Sequence, residues 1–162
     1  MKPASLALLS GAALAAPATA HAGTITVTIP RMAIAEYKKP YVAGWIEPAA
    51  GGEAHTLFVW YMQKTGGNEP GTKWLSELRS WWRKAGRSMR LPADGLSGAT
   101  RAPGSYTIPL PAGLAPGDYV VNVEASREHG GRELVSVTVK VPAGSGHATG
   151  SSELGAVSVS AK

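Results

Sequence analysis

Asp118-Tyr119-Val120-Val121-Asn122-Val123-Glu124-Ala125, followed across Ser126-Arg127-Glu128-His129-Gly130-Gly131 by residues 132–141, is the stretch that decides the fold. Both halves are rich in valine, and β-branched residues in short runs suit a pleated, half-buried surface. The His129-Gly130-Gly131 segment between them supplies the turn, so the two runs read as one long antiparallel hairpin. Pro111-Ala112-Gly113-Leu114-Ala115-Pro116-Gly117 before them is a turn of the kind that precedes a strand.

The same punctuation extends outward. Residues 24–29 (Thr-Ile-Thr-Val-Thr-Ile) alternate hydroxyl and aliphatic side chains and stop at Pro30, which predicts a strand with one buried face. Residues 41–47 predict a second strand, ended by Pro48 and the Gly51-Gly52 turn. Residues 55–62 (His-Thr-Leu-Phe-Val-Trp-Tyr-Met) are nearly all apolar and predict a central third strand, paired with the second as a hairpin. After a Gly/Asn/Pro loop at residues 65–71 the period changes. Trp74, Leu75, Leu78, Trp81 and Trp82 fall on one stripe of an amphipathic helix over residues 73–84, capped by Thr72 and stopped by Gly86. Residues 105–110 read as a short strand, residues 144–152 as a Gly/Ser/Thr linker, and residues 154–160 as an edge strand. About seven or eight short strands and one helix predict an all-β fold, an antiparallel β-sandwich with an inserted helix.

Composition sets the compartment. The chain has 162 residues, enough for one domain. Lys2, an apolar run over residues 5–16 and the small-x-small triplet Ala20-His21-Ala22 read as a secretory signal peptide at residues 1–22. That run is shorter than the ~20 apolar residues a membrane-spanning helix needs. The expected organisation is therefore a signal peptide at 1–22, a periplasmic β-sandwich at 23–143, and a linker with an edge strand at 144–162. There is no cysteine, which excludes thiolate catalysis, iron–sulfur clusters and cysteine-ligated zinc. Lys and Arg total 16 against 11 Asp and Glu. This modest, interspersed surplus suits an acidic or phosphate-bearing partner, while export argues against nucleic acid.

Asp94-Gly95-Leu96-Ser97-Gly98-Ala99-Thr100 lies between Pro92 and Pro103-Gly104 and reads as a loop. Its pattern, Asp-x-x-Ser-Gly-Ala-Thr, resembles the acceptor sequence on which a periplasmic FAD:protein FMN transferase attaches FMN to threonine through a phosphodiester. The resemblance implies that Thr100 is the acceptor, that Gly98 and Ala99 allow close approach, and that Asp94 docks the loop or positions metal or base. Arg101 would pair with the finished phosphodiester, and Ser97 is the alternative acceptor. The bland reading of the segment is a plain Gly/Ala turn. A serine-hydrolase elbow is disfavoured, because Gly95-Leu96-Ser97-Gly98-Ala99 ends in alanine where Gly-x-Ser-x-Gly needs glycine.

Four further segments look alike in family terms: residues 39–47, 73–82, 98–104 and 125–133. Together they resemble a predicted periplasmic domain-of-unknown-function family, number 2271, over roughly residues 37–141. The unit at residues 111–141 resembles the immunoglobulin-like fold of flagellar-hook-capping proteins. The family resemblance implies a small exported domain that keeps company with PepSY-type membrane proteins and the FMN transferase. It further implies an electron carrier that is the transferase's substrate and not itself an enzyme.

Other features carry weaker expectations. Trp81 and Trp82 are adjacent and point different ways, so one of them is a candidate platform for the flavin ring, against the alternative that the whole stripe packs on the sheet. The charged segment Arg127-Glu128-His129-Gly130-Gly131-Arg132-Glu133 is either a polar site shared with Glu124 or a surface that docks a partner, against the alternative of a solvated hairpin tip. The rival to a flavin carrier is a non-redox, immunoglobulin-like protein-binding module of the periplasm.

Overall fold

The computed structural model describes residues 22–63 and 70–162. The expected signal peptide, up to residue 21, and most of the expected 65–71 loop lie outside the described residues. Among the described residues there are nine strands: β1 (Gly23–Ile29), β2 (Tyr41–Pro48), β3 (His55–Tyr61), β4 (Ser97–Ala99), β5 (Gly104–Pro109), β6 (Gly117–Ser126), β7 (Arg132–Val141), β8 (Ser145–Thr149) and β9 (Ala156–Ala161). They form two sheets, ordered β5-β1-β9-β8 and β4-β3-β2-β6-β7. Neighbours are antiparallel except β3 and β4, which run parallel. The architecture is the expected all-β sandwich.

Period-two patterning builds the core. Ile25, Val27 and Ile29 on β1 point inward, while Thr24, Thr26 and Thr28 face out. Val121, Val123 and Ala125 of β6, Val135, Val137, Val139 and Val141 of β7, and Val157 and Val159 of β9 meet them from the other strands. Each such side chain removed from water contributes about 1.5–3 kcal/mol. The β7–β8 side of the sandwich is tightly closed, since a Cβ on Gly146 would collide with the Thr138 carbonyl oxygen on β7.

In the second sheet β2 and β3 are buried on both faces, which explains their apolar runs. Its outer face presents Ala43, Trp45, Val59 and Tyr61, and the segment 70–91 covers them with Leu75, Leu78 and Trp81. That segment is not the continuous helix expected over residues 73–84. It is a 3₁₀ run (Gly71–Glu77), a break at Leu78 (φ −78°, ψ 71°), and a short α1 (Arg79–Lys84). In a 3₁₀ run residues three apart share a face, so Leu75 and Leu78 turn inward and Trp74 turns out, 50 % exposed. Thr72 caps nothing; the 3₁₀ run follows Pro70 with no side-chain cap.

The cause of the break lies in the sheet. Glu124 of β6 is completely buried beneath α1. The Ser80 N–H donates to both its carboxylate oxygens (2.9 and 3.2 Å) and the Trp81 N–H donates to one (2.9 Å). In an unbroken helix those two N–H groups would be used within the helix itself. The break frees them, and a buried carboxylate takes them.

The C-terminal region also differs from expectation. The supposed linker at 144–152 contains β8, and the supposed edge strand is β9, an interior strand between β1 and β8. The sandwich therefore continues past residue 143. Small side chains here reflect close packing of backbone on backbone, as at Gly146, and not a free linker.

Candidate functional site

The Asp94–Thr100 motif sits where the chain crosses between sheets. β4 is the edge of the second sheet and β5 the edge of the first, and residues 100–103 connect them. The motif is thus not a plain loop: Asp94, Gly95 and Leu96 form a turn and Ser97, Gly98 and Ala99 form β4. The turn closes through the Leu96 and Ser97 N–H groups, which donate to the Ala93 carbonyl (3.2 and 2.9 Å). The Ser97 hydroxyl accepts the Ala93 N–H at 2.9 Å, so it is engaged in holding the turn. Gly95 has φ 73°, a conformation glycine adopts readily.

β4 is held on β3 by the Val59 N–H donating to the Leu96 carbonyl (2.8 Å) and by the Gln63 amide donating to the Gly98 carbonyl (3.1 Å). Gly98 lies so close to Trp60 that a Cβ there would stand 3.0 Å from the indole. Thr100 follows, half-buried, and its hydroxyl makes no hydrogen bond among the described residues. Asp94, Ala99 and Arg101 are exposed.

Between the two edges lies an open cleft of about 270 Å³. Leu57, Phe58 and Trp60 of β3, Tyr106 and Ile108 of β5, and residues 95–98 line it together with Arg101. The Trp60 ring lies 4.4 Å from Phe58 and meets Tyr106 edge-on at 5.5 Å. The Arg101 guanidinium stands over both rings, 5.3 Å from the Trp60 centroid and 5.5 Å from that of Tyr106.

A family model described as a predicted periplasmic protein (DUF2271) matches residues 22–156. The chain belongs to that family. No curated protein and no solved structure matches it. The DUF2271 match runs past residue 143 and through β8, in keeping with a sandwich that includes the C-terminal strands.

Of the expected site residues in this DUF2271 domain, Ser97, Gly98 and Arg101 line the cleft; Asp94, Ala99 and Thr100 stand beside it without lining it. Trp81 is excluded as a ring platform. It is fully buried on the outer face of the second sheet, where its indole N–H donates to Thr56 (3.0 Å). Trp82 is half-buried against the same cluster. The aromatic groups at the motif are instead Trp60 and Tyr106. Trp60 lies in the apolar run 55–62 that predicts the third strand, and the inward position of Tyr106 on β5 follows from period-two alternation with Ile108.

The charged hairpin has a structural use. Arg127 binds Glu153 through two hydrogen bonds (2.9 and 3.0 Å), and the Gly131 N–H donates to the same carboxylate at 2.8 Å. Glu133 accepts the N–H groups of Ser151, Ser152 and Leu154 and the Ser151 hydroxyl. Burial alone would raise its pKa, but these four donors together hold the carboxyl down to about 2. The hairpin is a clasp for the segment leading into β9. Arg132 instead pairs with Glu124 (3.0 Å). Beside that pair, Glu47 accepts from Trp45, Asn122 and Lys84 (3.4, 3.2 and 2.7 Å), so the carboxylates on the sheet's outer face are tied into the helical cover. Among the described residues no group of three His, Asp or Glu side chains is placed to hold a metal ion.

Proposed function

We propose that this domain is a periplasmic flavin carrier, bearing FMN on Thr100 through a phosphodiester installed by a separate FAD:protein FMN transferase. In this reading residues 1–22 direct export, and the domain exchanges electrons with a PepSY-type membrane protein while catalysing no reaction of its own. The observation that carries the reading is the placement of the motif. An Asp-x-x-Ser-Gly-Ala-Thr segment stands at an open sheet edge, where another enzyme can reach it.

The residues fit such a group. The Thr100 hydroxyl has no competing hydrogen bond among the described residues, its neighbours Gly98 and Ala99 are small, and a guanidinium follows at Arg101. On transfer the threonine oxygen would form the new bond to the FMN phosphorus, the pyrophosphate bond of FAD would break, and AMP would leave. The hydroxyl proton would pass to a base of the transferase. When bound, the flavin supplies the electron-transfer chemistry. This chain supplies the nucleophile, the cation and the cleft beside them.

The test is co-expression with the transferase and FAD, followed by intact-mass measurement and a denaturing gel under ultraviolet light. Wild type gains the mass of FMN less water and fluoresces; Thr100→Ala gains neither while keeping its fold. A wild type that takes up no flavin overturns the reading. Retention of flavin by Thr100→Ala moves the attachment elsewhere, with Ser97 next to examine. The second reading, a non-redox protein-binding module, is favoured by Trp74, which stands half exposed on the helical cover.

A further inference from the structure

We infer that the cleft between β4 and β5 is a binding site for one flat, π-rich ring system attached to a phosphate, with Arg101 serving as both its cover and its anion contact. Three observations converge on it. The cleft is walled by Phe58, Trp60 and Tyr106; Tyr106 is half-buried, while Phe58 and Trp60 are closed off from solvent with Arg101 lying over Trp60, so aromatic surface becomes available to a planar group when Arg101 moves aside. Its volume of about 270 Å³ falls just below the range of about 300–1,000 Å³ usual for ligand pockets, which favours a single ring system over a whole dinucleotide. The only charged side chain lining it is that of Arg101, which stacks on the two rings and pairs with no carboxylate among the described residues.

An exposed guanidinium resting on aromatic faces is weakly held, whereas a guanidinium–phosphate pair is charge-assisted and bidentate. A phosphate arriving beside residue 101 therefore draws Arg101 off Trp60 and Tyr106. The same movement opens the cleft to the ring attached to that phosphate. Gly98, having no side chain, lets β4 pack directly against the Trp60 indole and brings Arg101 close to it. That FMN is the group delivered there rests on the Thr100 reading; the chemistry of the cleft does not depend on covalent attachment.

The two can be tested apart. Purified Thr100→Ala protein, with its fold checked by near-ultraviolet circular dichroism, is titrated with free FMN and, separately, with riboflavin. Tryptophan emission and flavin fluorescence are followed. FMN quenches both saturably, and riboflavin binds about tenfold more weakly for want of the phosphate. Adding Arg101→Gln, a change at an exposed position that removes the anion contact and the cover together, weakens FMN and brings FMN and riboflavin to a common level. Adding Tyr106→Leu weakens both. Absence of saturable quenching, or FMN binding indifferent to Arg101→Gln, overturns the cleft proposal even if wild type takes up covalent FMN. Saturable binding to Thr100→Ala with no mass gain on wild type would support the cleft and overturn the attachment.

Discussion

Glu124→Ala is the substitution that most directly tests how the helical cover is held. The wild-type carboxylate is wholly buried and accepts from three groups: the Ser80 N–H, the Trp81 N–H and the Arg132 guanidinium. Hydrogen bonds to a charged group contribute about 1.5–3 kcal/mol each. The Arg132 side chain is 39 % exposed, so its contribution is discounted towards that of a surface pair, at most about 1 kcal/mol. The two helix N–H groups carry the rest, and alanine leaves both without their carboxylate partner. The expected loss is about 3–5 kcal/mol, the worth of two hydrogen bonds to a buried carboxylate. At about 3 °C per kcal/mol for a domain of this size, Tm falls by about 9–15 °C. Glu124→Gln keeps the shape and one acceptor oxygen and costs about 1–2 kcal/mol. Arg132→Met leaves both helix bonds intact and costs no more than that. Urea unfolding followed by tryptophan fluorescence gives all three values, and near-ultraviolet circular dichroism reports the packing of Trp81. If Arg132→Met proves as costly as Glu124→Ala, the ion pair and not the helix anchor dominates, and the reasoning is wrong. A Glu124→Ala loss under about 1 kcal/mol refutes it equally.

Two further outcomes follow from the C-terminal clasp. Glu133 has its folded pKa held at about 2, below its ordinary value, so its contribution is present above the unfolded pKa near 4 and is lost as pH falls toward 2. Glu133→Gln should flatten the fall in stability across that acid window by about 1–2 kcal/mol, a figure reduced for the group's partial exposure; an unchanged slope in urea midpoints measured from pH 5 to pH 2 would count against it. A chain ending at residue 143 loses β8 and the interior strand β9 and exposes Ile25 and Val27 of β1. It should fail to give a cooperative thermal transition, and a sharp transition near the wild-type Tm would show that the first sheet does not need β9.

What the sequence made legible, and what it hid, divides along the reach of the interactions. β1, β6 and β7 were readable because a period of two is a local property and each strand carries it on its own. The double burial of β2 and β3 was readable as apolar runs, though not what covers them. The break at Leu78 was hidden because its cause, Glu124, is 44 positions from Ser80. Local periodicity there favours a continuous helix, and a distant carboxylate decides otherwise. Residues 145–149 (Ser-Gly-His-Ala-Thr) have little intrinsic strand preference; they form β8 because β9 offers a ladder and Gly146 lets the backbone approach β7. The candidate site shows the same division. Asp94–Thr100 is recognisable as a string, but a string has no neighbours. Its chemical surroundings arise because β4 and β5 are the edges of different sheets, so that Trp60 from one and Tyr106 from the other meet beneath Arg101. Tryptophans close in sequence, Trp81 and Trp82, were the natural candidates for a ring platform, yet the sheet itself stands between Trp81 and the inter-sheet core where Trp60 lies. A site built at a crossover between layers is therefore specified by strand order, and the residue that bears the chemistry is found sooner than the surface that receives it.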